Sequence, residues 1–591
     1  MSARTRDLSL VLPALLPAAA LLLGCGGGVR RFPLKTPLTQ DTDLRSIHYE
    51  CAPDPADPKK TKCMPEDYDS PFAWDGANQI VFRPIARFFA VDPAGEARNV
   101  NAFDEVPDSA WFVNRIGKTP MGPDDAARGY CDEKVLDTGG PDGSWLIDQG
   151  KPNGYNPGFR VRVENIGKFM LKADPPEQVE RGTGAAAIAS RIYYAFGWWA
   201  PCDSVVYVRP SILKLKPGLI VTDNSGIPRP FDDAALAKVL KAGAHRGDTT
   251  RMTASRWLPG RTIGPFTYEG TRSDDPNDII PHEDRRDLRG ARVLAAWLNH
   301  FDSREQNTMN TWMADDEKNP DSSPGHIRHW YIDLGDCLGS EWAWDGISKR
   351  LGHAYYLDLP YLGEDFVTFG ILQRPWDRAE RSPDGKIFGY FHSRDFDPDL
   401  WRGGYPNPAF TRMGERDAAW ATRIIARFTD AHVRAFVAVG DYSDPGHADF
   451  VVRHLIARRD IILRRYFSKL SPVTDLKADN DELCGVDLAR KTGVFPAPDF
   501  RYAARQYAGA AFAPRASGAV RVTDEGGTCV PLTHFAADGG EADDSPGRYL
   551  VVDVTNGVAP GPLRAHLYDL GPKRGFVLVG IERPDSPSPP S

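Results

Sequence analysis

Apolar and polar residues alternate in FRVRVEN and again in KFMLKAD, either side of Asn165, Ile166 and Gly167. This period of two predicts a pair of strands joined by a tight turn between Phe159 and Leu171. The period lengthens to helical spacing over Gly184–Phe196 (GAAAIASRIYYAF), which stops at Gly197, a natural C-cap. The β-branched and aromatic run SVVYV that follows predicts a third strand. Strand, strand, helix, strand is a small sheet carrying one helix. Further on, Glu283 to Phe301 predicts a helix with Leu294, Trp297, Leu298 and Phe301 on its apolar face and acids in its first turn. Glu415 to Val439 and His447 to Tyr466 also have helical spacing. Beyond Pro472, the runs VRVTDEGG, RYLVVDVTNG, LRAHLYDLG and RGFVLVGIERP predict strands separated by Gly-rich turns. Residues 26 to 150 are rich in Pro, Gly and Asp, with short apolar pieces such as QIVFRPIARFFAV, and predict an irregular extension packed on the main body.

The N-terminus reads differently. Arg4 and Arg6 precede an apolar run from Leu8 to Leu23, shorter than the roughly 20 residues a membrane span needs. This is a signal peptide, and LLGC ending at Cys25 resembles the lipobox of bacterial lipoproteins, whose cysteine is lipidated. The expectation is a body anchored to the lipid bilayer through Cys25, with Gly26 favouring the outer membrane of a Gram-negative envelope. A net charge of −8 with mixed signs provides no basic stripe and excludes nucleic acid as an expected partner.

Of eight cysteines, Cys25 is assigned to the lipobox and seven remain, in a compartment where disulfides persist. Cys51 and Cys63 are the easiest pair to propose; Cys484 with Cys529 and Cys131 with Cys202 are further pairings, although sequence does not fix connectivity. The thiol left over is expected to be Cys337. The chain divides into a signal peptide (1–24), a tether (25–70), an N-terminal extension (71–150), a small lobe (151–215), a helical lobe (216–470), a β-rich module (471–583) and a tail (584–591).

Two stretches carry chemistry. HFDSREQN, His300 to Asn307, holds Asp302 and an amide five residues later; YIDLGD, Tyr331 to Asp336, holds Asp333 at the end of an apolar strand. Upstream, Lys172 ends the second strand of the hairpin, where an ammonium could pair with phosphates, and Glu180 stands near the start of the next helix as its orienting acid. Gly154 and Gly158, in NGYNPGF, could form a tight backbone loop over phosphates. The competing reading takes Asp302, Asn307, Asp333 and Asp336 as ordinary turn and cap residues.

In this order, FMLKADPP, a helix ending YYAFGWWAP, HFDSREQN and YIDLG resemble the kinase-like superfamily, in particular its HipA-type, CotH-type and phosphoinositide-kinase branches. The resemblance covers Gly158 to Phe467 and implies an α+β, two-lobed protein-kinase-like fold, flanked by the irregular extension and a small all-β C-terminal module. It implies Lys172 for phosphate contact, Asp302 as catalytic base, Asn307 and Asp333 as metal ligands, and ATP with Mg²⁺ as cosubstrate. Asn310 competes with Asn307, and Asp336 is either a second ligand or the cap of the next helix. A G-x-G-x-x-G loop is missing and Phe301 stands where the H-R-D pattern has Arg. The expected activity is phosphate transfer to a protein or small-molecule hydroxyl outside the cytoplasm; the alternative is a kinase-fold scaffold or ligand-binding lipoprotein without turnover.

Overall fold

The computed structural model describes residues 30–35, 41, 43–54, 57–69, 72–89, 95–131, 136–151, 156–175, 178–222, 227–341, 344–381, 384–587 and 589–590. Cys25 and Gly154 lie outside them. With 29% helix and 23% strand in several sheets, the fold is mixed and compatible with the α+β class.

The first large sheet contains the alternating hairpin. Its strands are β1 (Trp145–Gly150), β2 (Gly158–Val163), β3 (Gly167–Lys172), β4 (Asp203–Val208), β5 (Leu213–Leu215), β6 (His245–Arg246) and β7 (Thr249–Arg256), in the order β6-β7-β3-β2-β1-β5 with β4 also paired to β7. The sheet thus draws strands from both sides of residues 151–215. Asn165, at φ 59°, turns β2 into β3 in the left-handed region that Asn tolerates. One face buries Trp145, Ile147, Phe159, Val161, Leu171 and Met252.

Helix α1 (Arg181–Phe196) is buried along nearly its whole length, and its small residues belong to the main core with the helices that follow. Gly197 ends it at φ 153°, as its position suggests. Arg251 of β7 ties this helix to the helical body. Its guanidinium donates to Thr183 Oγ1 at 2.8 Å, to the Gly440 carbonyl at 2.5 Å and to the Asp441 carbonyl.

The helical body is built on α2 (Arg286–Leu298), followed by the hairpin β8 (Thr308–Ala314) and β9 (Gly325–Tyr331), then α3 (Leu359–Thr368), α4 (Glu415–Ile425), α5 (Asp430–Ala438) and α6 (Pro445–Phe467). The periodic run from Glu415 to Val439 breaks into α4 and α5 because Thr429 starts a new helix, its side chain accepting from the His432 amide. Arg458 of α6 lies 4% exposed in the core. It donates to the Ala296 and Trp297 carbonyls at the end of α2 and to the His392 carbonyl, at 2.5, 2.9 and 2.9 Å.

The C-terminal residues form a four-stranded and a five-stranded sheet, with a short helix Leu488–Thr492 between strands of the first. Asp104 joins this module to the helices: its carboxylate takes Arg286, Arg423 and Arg583 at 2.5, 3.2 and 2.6 Å. The N-terminal extension is more regular than its composition suggests, since Phe72–Ala77 and Arg83–Phe89 are helical. The runs are apolar, and a π-helical turn, Asn78–Phe82, joins the two helices, so that Pro84 of FRPIAR sits inside one continuous helical stretch. Three disulfides, Cys51–Cys63, Cys131–Cys202 and Cys484–Cys529, are present, and Cys337 is a buried free thiol.

Candidate functional site

The two motif stretches are the two ends of one antiparallel hairpin. Thr308 of β8 pairs with Tyr331 of β9, and the Ile332 amide donates to the Asn307 carbonyl at 3.0 Å. Whatever precedes β8 must therefore meet whatever follows β9. Helix α2 delivers the first stretch: Asn299 closes it in the left-handed conformation at φ 52°, fixed by the Trp401 indole N–H bonded to Asn299 Oδ1 at 2.9 Å. The chain then turns through His300 into Asp302.

The end of this hairpin meets the end of β3, an interior strand of the large sheet. Lys172 Nζ of β3 donates to Asp333 Oδ1 at 2.7 Å, across 161 residues of sequence. Asn307 Nδ2 donates to Asp302 Oδ2 at 2.9 Å and to the Asp302 carbonyl at 2.8 Å. Asp333 itself stands at φ 55°, a left-handed turn at the strand end that directs its carboxylate toward the lysine. Arg181, at the start of α1, donates to the Gly335 carbonyl and reaches Ser340 Oγ at 3.4 Å, so α1 holds the Asp333–Asp336 loop directly.

Lys151 is a candidate site residue that reading the sequence missed. It follows β1, and its amide donates to the Gly158 carbonyl at 3.1 Å while Gly158 pairs with Lys172, so three adjacent strands bring both lysines to one edge. Its Nζ donates to the Asn156 carbonyl at 2.9 Å. No local pattern marks Lys151; only the strand register places it.

These charges shift one another. Burial pushes the Asp333 carboxyl up, but Lys172 and Lys151 outweigh it and hold the group well below the usual carboxylate range. Burial likewise opposes the Lys172 charge, and Asp333 more than restores it. Lys151 is pushed down to about 8 by burial and by Lys172. Asp302 is pushed up to about 7, first by burial and then by Asp336 and Asp333, against Arg304 and Asn307. Asp336 is raised by burial and by Asp333.

No family model, curated protein or solved structure matches the chain. The site is accordingly read from its own geometry.

Lys172, Asp302, Asn307, Asp333 and Asp336 are brought into one cleft. Asp336 caps no helix: it ends a 3₁₀ turn, and the next helix, Asp345–Arg350, starts after Trp344. Asn310 is turned away, its amide bonded to His329 Nδ1 at 2.7 Å and to the Pro265 carbonyl at 3.2 Å. Glu180 is a correction. It occupies the N-cap of α1 at φ 71°, and its carboxylate accepts from the Ser443 amide and hydroxyl at 2.9 and 3.0 Å, not from Lys172. Asp203, at the start of β4, is the further acid that favours the Lys172 charge. It had no sequence signal, because it reaches the lysine only through the pairing of β4 and β3 with β7. Gly158 is not a phosphate-loop glycine by its position; a Cβ there would lie 2.2 Å from the Leu171 carbonyl oxygen, so it permits close strand pairing.

The donor set suits a hard divalent cation and an anionic ligand. Asp333, with its side chain 37% exposed, offers a carboxylate to the cleft, and two lysines face it. Among the described residues, the group of His, Cys, Asp or Glu whose ligand atoms lie within 4.8 Å of one another is Glu482, Cys484 and Cys529, and a disulfide occupies its two cysteines. Asp302, Asp333 and Asp336 thus do not all bring ligand oxygens within 4.8 Å of one another in the ligand-free protein.

Protonation of Asp302 has a measurable consequence in the ligand-free protein. A carboxyl at about 7 in the fold and near 3.8 when unfolded binds the extra proton in the folded state between those values. The wild-type chain should then lose stability relative to Asp302→Asn as pH rises from 4 to 7, by on the order of 2 kcal/mol. Urea denaturation of both proteins at intervals across that window reads the difference, and a flat difference would remove the assignment.

Proposed function

We propose that the chain is a kinase-like phosphotransferase with a two-lobed fold, anchored through a lipidated Cys25 to the envelope of a Gram-negative bacterium, which uses ATP and Mg²⁺ to phosphorylate a protein or small-molecule hydroxyl. The observation that carries this reading is the 2.7 Å contact of Lys172 with Asp333 beside the 2.9 Å contact of Asn307 with Asp302, all at one end of one hairpin.

Mg-ATP, when bound, supplies the phosphoryl group and the divalent charge. Asn307 and Asp333 would hold the metal, with Asp336 next to them. Lys172 and Lys151 present two ammonium groups to anionic oxygens in a site where burial strengthens the attraction. Asp302 would accept the proton of the acceptor hydroxyl. Its carboxyl, brought near 7, is matched to proton transfer near neutral pH, where a carboxylate at its usual value would be a weaker base. Asn307 orients that carboxylate through Oδ2.

A second reading is supported by Glu180. Its carboxylate is committed to Ser443, so the acid expected to orient Lys172 does not do so. A kinase-fold protein that binds a nucleotide without turning it over would tolerate this. One experiment separates the readings. With Mg-ATP at about 100 times Kd, binding should stabilise the folded chain by about 2.7 kcal/mol and raise its melting temperature. The absence of any shift would remove both nucleotide readings. A shift without phosphate transfer to envelope extracts would favour binding alone.

A further inference from the structure

Helix α3 is unusual for a protein of this size: none of its residues is buried. Leu359, Leu362, Phe366 and Val367 are 54, 47, 84 and 75% exposed, and Phe369 and Ile371 just beyond it are 91 and 79% exposed. The seven residues Phe366 to Leu372, FVTFGIL, carry no charge. Phe369 closes the helix in the left-handed region at φ 53° and Gly370 follows at φ 70°. A bulky side chain in that conformation is costly, and here it leaves the phenyl ring in solvent. Exposed apolar surface of this extent marks a contact.

We propose that α3 and the turn after it insert into the interfacial region of a lipid bilayer, as a second membrane contact beside the anchor at Cys25. Three observations select lipid. First, the side chains project freely: Phe366, Phe369 and Ile371 are 84, 91 and 79% exposed, as insertion into an acyl layer requires. Second, the acids of the helix are partly offset locally. Arg374 takes both Glu364 at 2.9 Å and Asp365 at 3.1 Å, so one cation answers two carboxylates and repulsion from anionic headgroups is lowered.

Third, the tether is short. The described chain begins at Arg30, and Phe32, 2% exposed, is fixed on the C-terminal module by the Tyr549 hydroxyl at 2.9 Å. Arg30 follows Cys25 by five residue steps, with four residues between, a reach of at most about 18 Å. On the reading of Cys25 given above, which this proposal rests on, a bilayer is the apolar phase the body meets continuously. An apolar helix face inserted beside a lipid anchor adds to the hold in proportion to the apolar area it buries.

The contact also bears on the substrate. Asp358, which caps α3, is held by Arg402 at 2.8 Å, and two residues before it Tyr356 lies close enough to feel the charges of Asp302 and Asp336. Seating α3 in the interface brings the Asp302 side of the cleft to the headgroups.

The test uses the chain from Gly26 onward, which keeps every described residue and lacks the lipid. It is floated with vesicles of phosphatidylethanolamine and phosphatidylglycerol, alongside Phe366→Asp/Phe369→Asp/Ile371→Asp and the milder Phe366→Ser/Phe369→Ser. Wild type should float with the vesicles, and the triple variant should partition roughly tenfold more weakly at an unchanged melting temperature. Wild-type protein that stays in the soluble fraction, or variants that float equally well, would overturn the proposal. So would light scattering that shows a wild-type dimer and a monomeric variant, since the face would then join two copies. The intact mass of protein extracted from membranes reports lipidation of Cys25 separately, so failure of the anchor and failure of α3 are distinguishable.

Discussion

On the phosphotransferase reading proposed for this chain, replacing Asp333 with alanine is expected to abolish the dependence of nucleotide binding on Mg²⁺ and to lower phosphate transfer by roughly a thousandfold, equivalent to about 4 kcal/mol. Two lysines, Lys172 and Lys151, face Asp333, and it is the anion that both stabilise. Without it the lysines face each other, and Lys151, already down at about 8, is the one that gives up its proton first. Two outcomes follow that a merely structural aspartate would not produce. Metal-free ATP should bind the variant at least as well as wild type, because its phosphates replace the lost carboxylate. Adding Mg²⁺ should no longer raise the melting temperature of the nucleotide complex. Calorimetric titration with and without Mg²⁺ measures both, and a variant that keeps its Mg²⁺ dependence would assign the metal to other residues.

The second large effect is on stability. Arg458→Met should destabilise the helical body by about 3 kcal/mol, since three carbonyls lose their donor in the core. Burial alone brings this guanidinium down to about 9, which shows how little countercharge surrounds it. It persists because it answers the negative end of α2, donating to the Ala296 carbonyl, which also takes the Asn299 amide at 3.3 Å, and to the Trp297 carbonyl. Its position matters to the site, since α2 ends two residues before His300. Lysine at 458 should be intermediate, because an ammonium cannot span the three acceptors in one plane. Urea denaturation followed by tryptophan fluorescence gives the values, and a loss under about 1 kcal/mol for Arg458→Met would mean that water replaces the guanidinium.

The sequence made some of this legible and hid the rest for definable reasons. The hairpin β2–β3, helix α1 and the strand at Asp203–Val208 were readable because their signals are local: a period of two, a period near 3.6, and glycine or asparagine where the backbone turns left-handed. Asp302, Asn307 and Asp333 could be picked out because one short hairpin carries them, and the pairing of Thr308 with Tyr331 converts closeness in sequence into closeness in space. Lys151 and Asp203 could not, because each reaches the cleft through pairing with strands distant in sequence. Glu180 was misassigned for a related reason. Sequence places it at the start of the right helix, but its left-handed backbone turns the carboxylate to Ser443, on a loop more than two hundred residues away. The helices in the extension were masked by composition, since proline and glycine counts say nothing about where along the chain they fall.

Because β8 and β9 are one ribbon, the two halves of the cleft inherit a single register. A residue inserted between Asp315 and Pro324 would lengthen only the connection at the far end of the ribbon and leave the pairing of Thr308 with Tyr331 intact. The same insertion inside either strand would displace one half of the cleft by about 3.3 Å and invert which face its side chains occupy. Length variation in descendants of this sequence should therefore be confined to that outer loop, and engineers grafting new segments onto the protein have one place near the cleft where they can do so without retuning it.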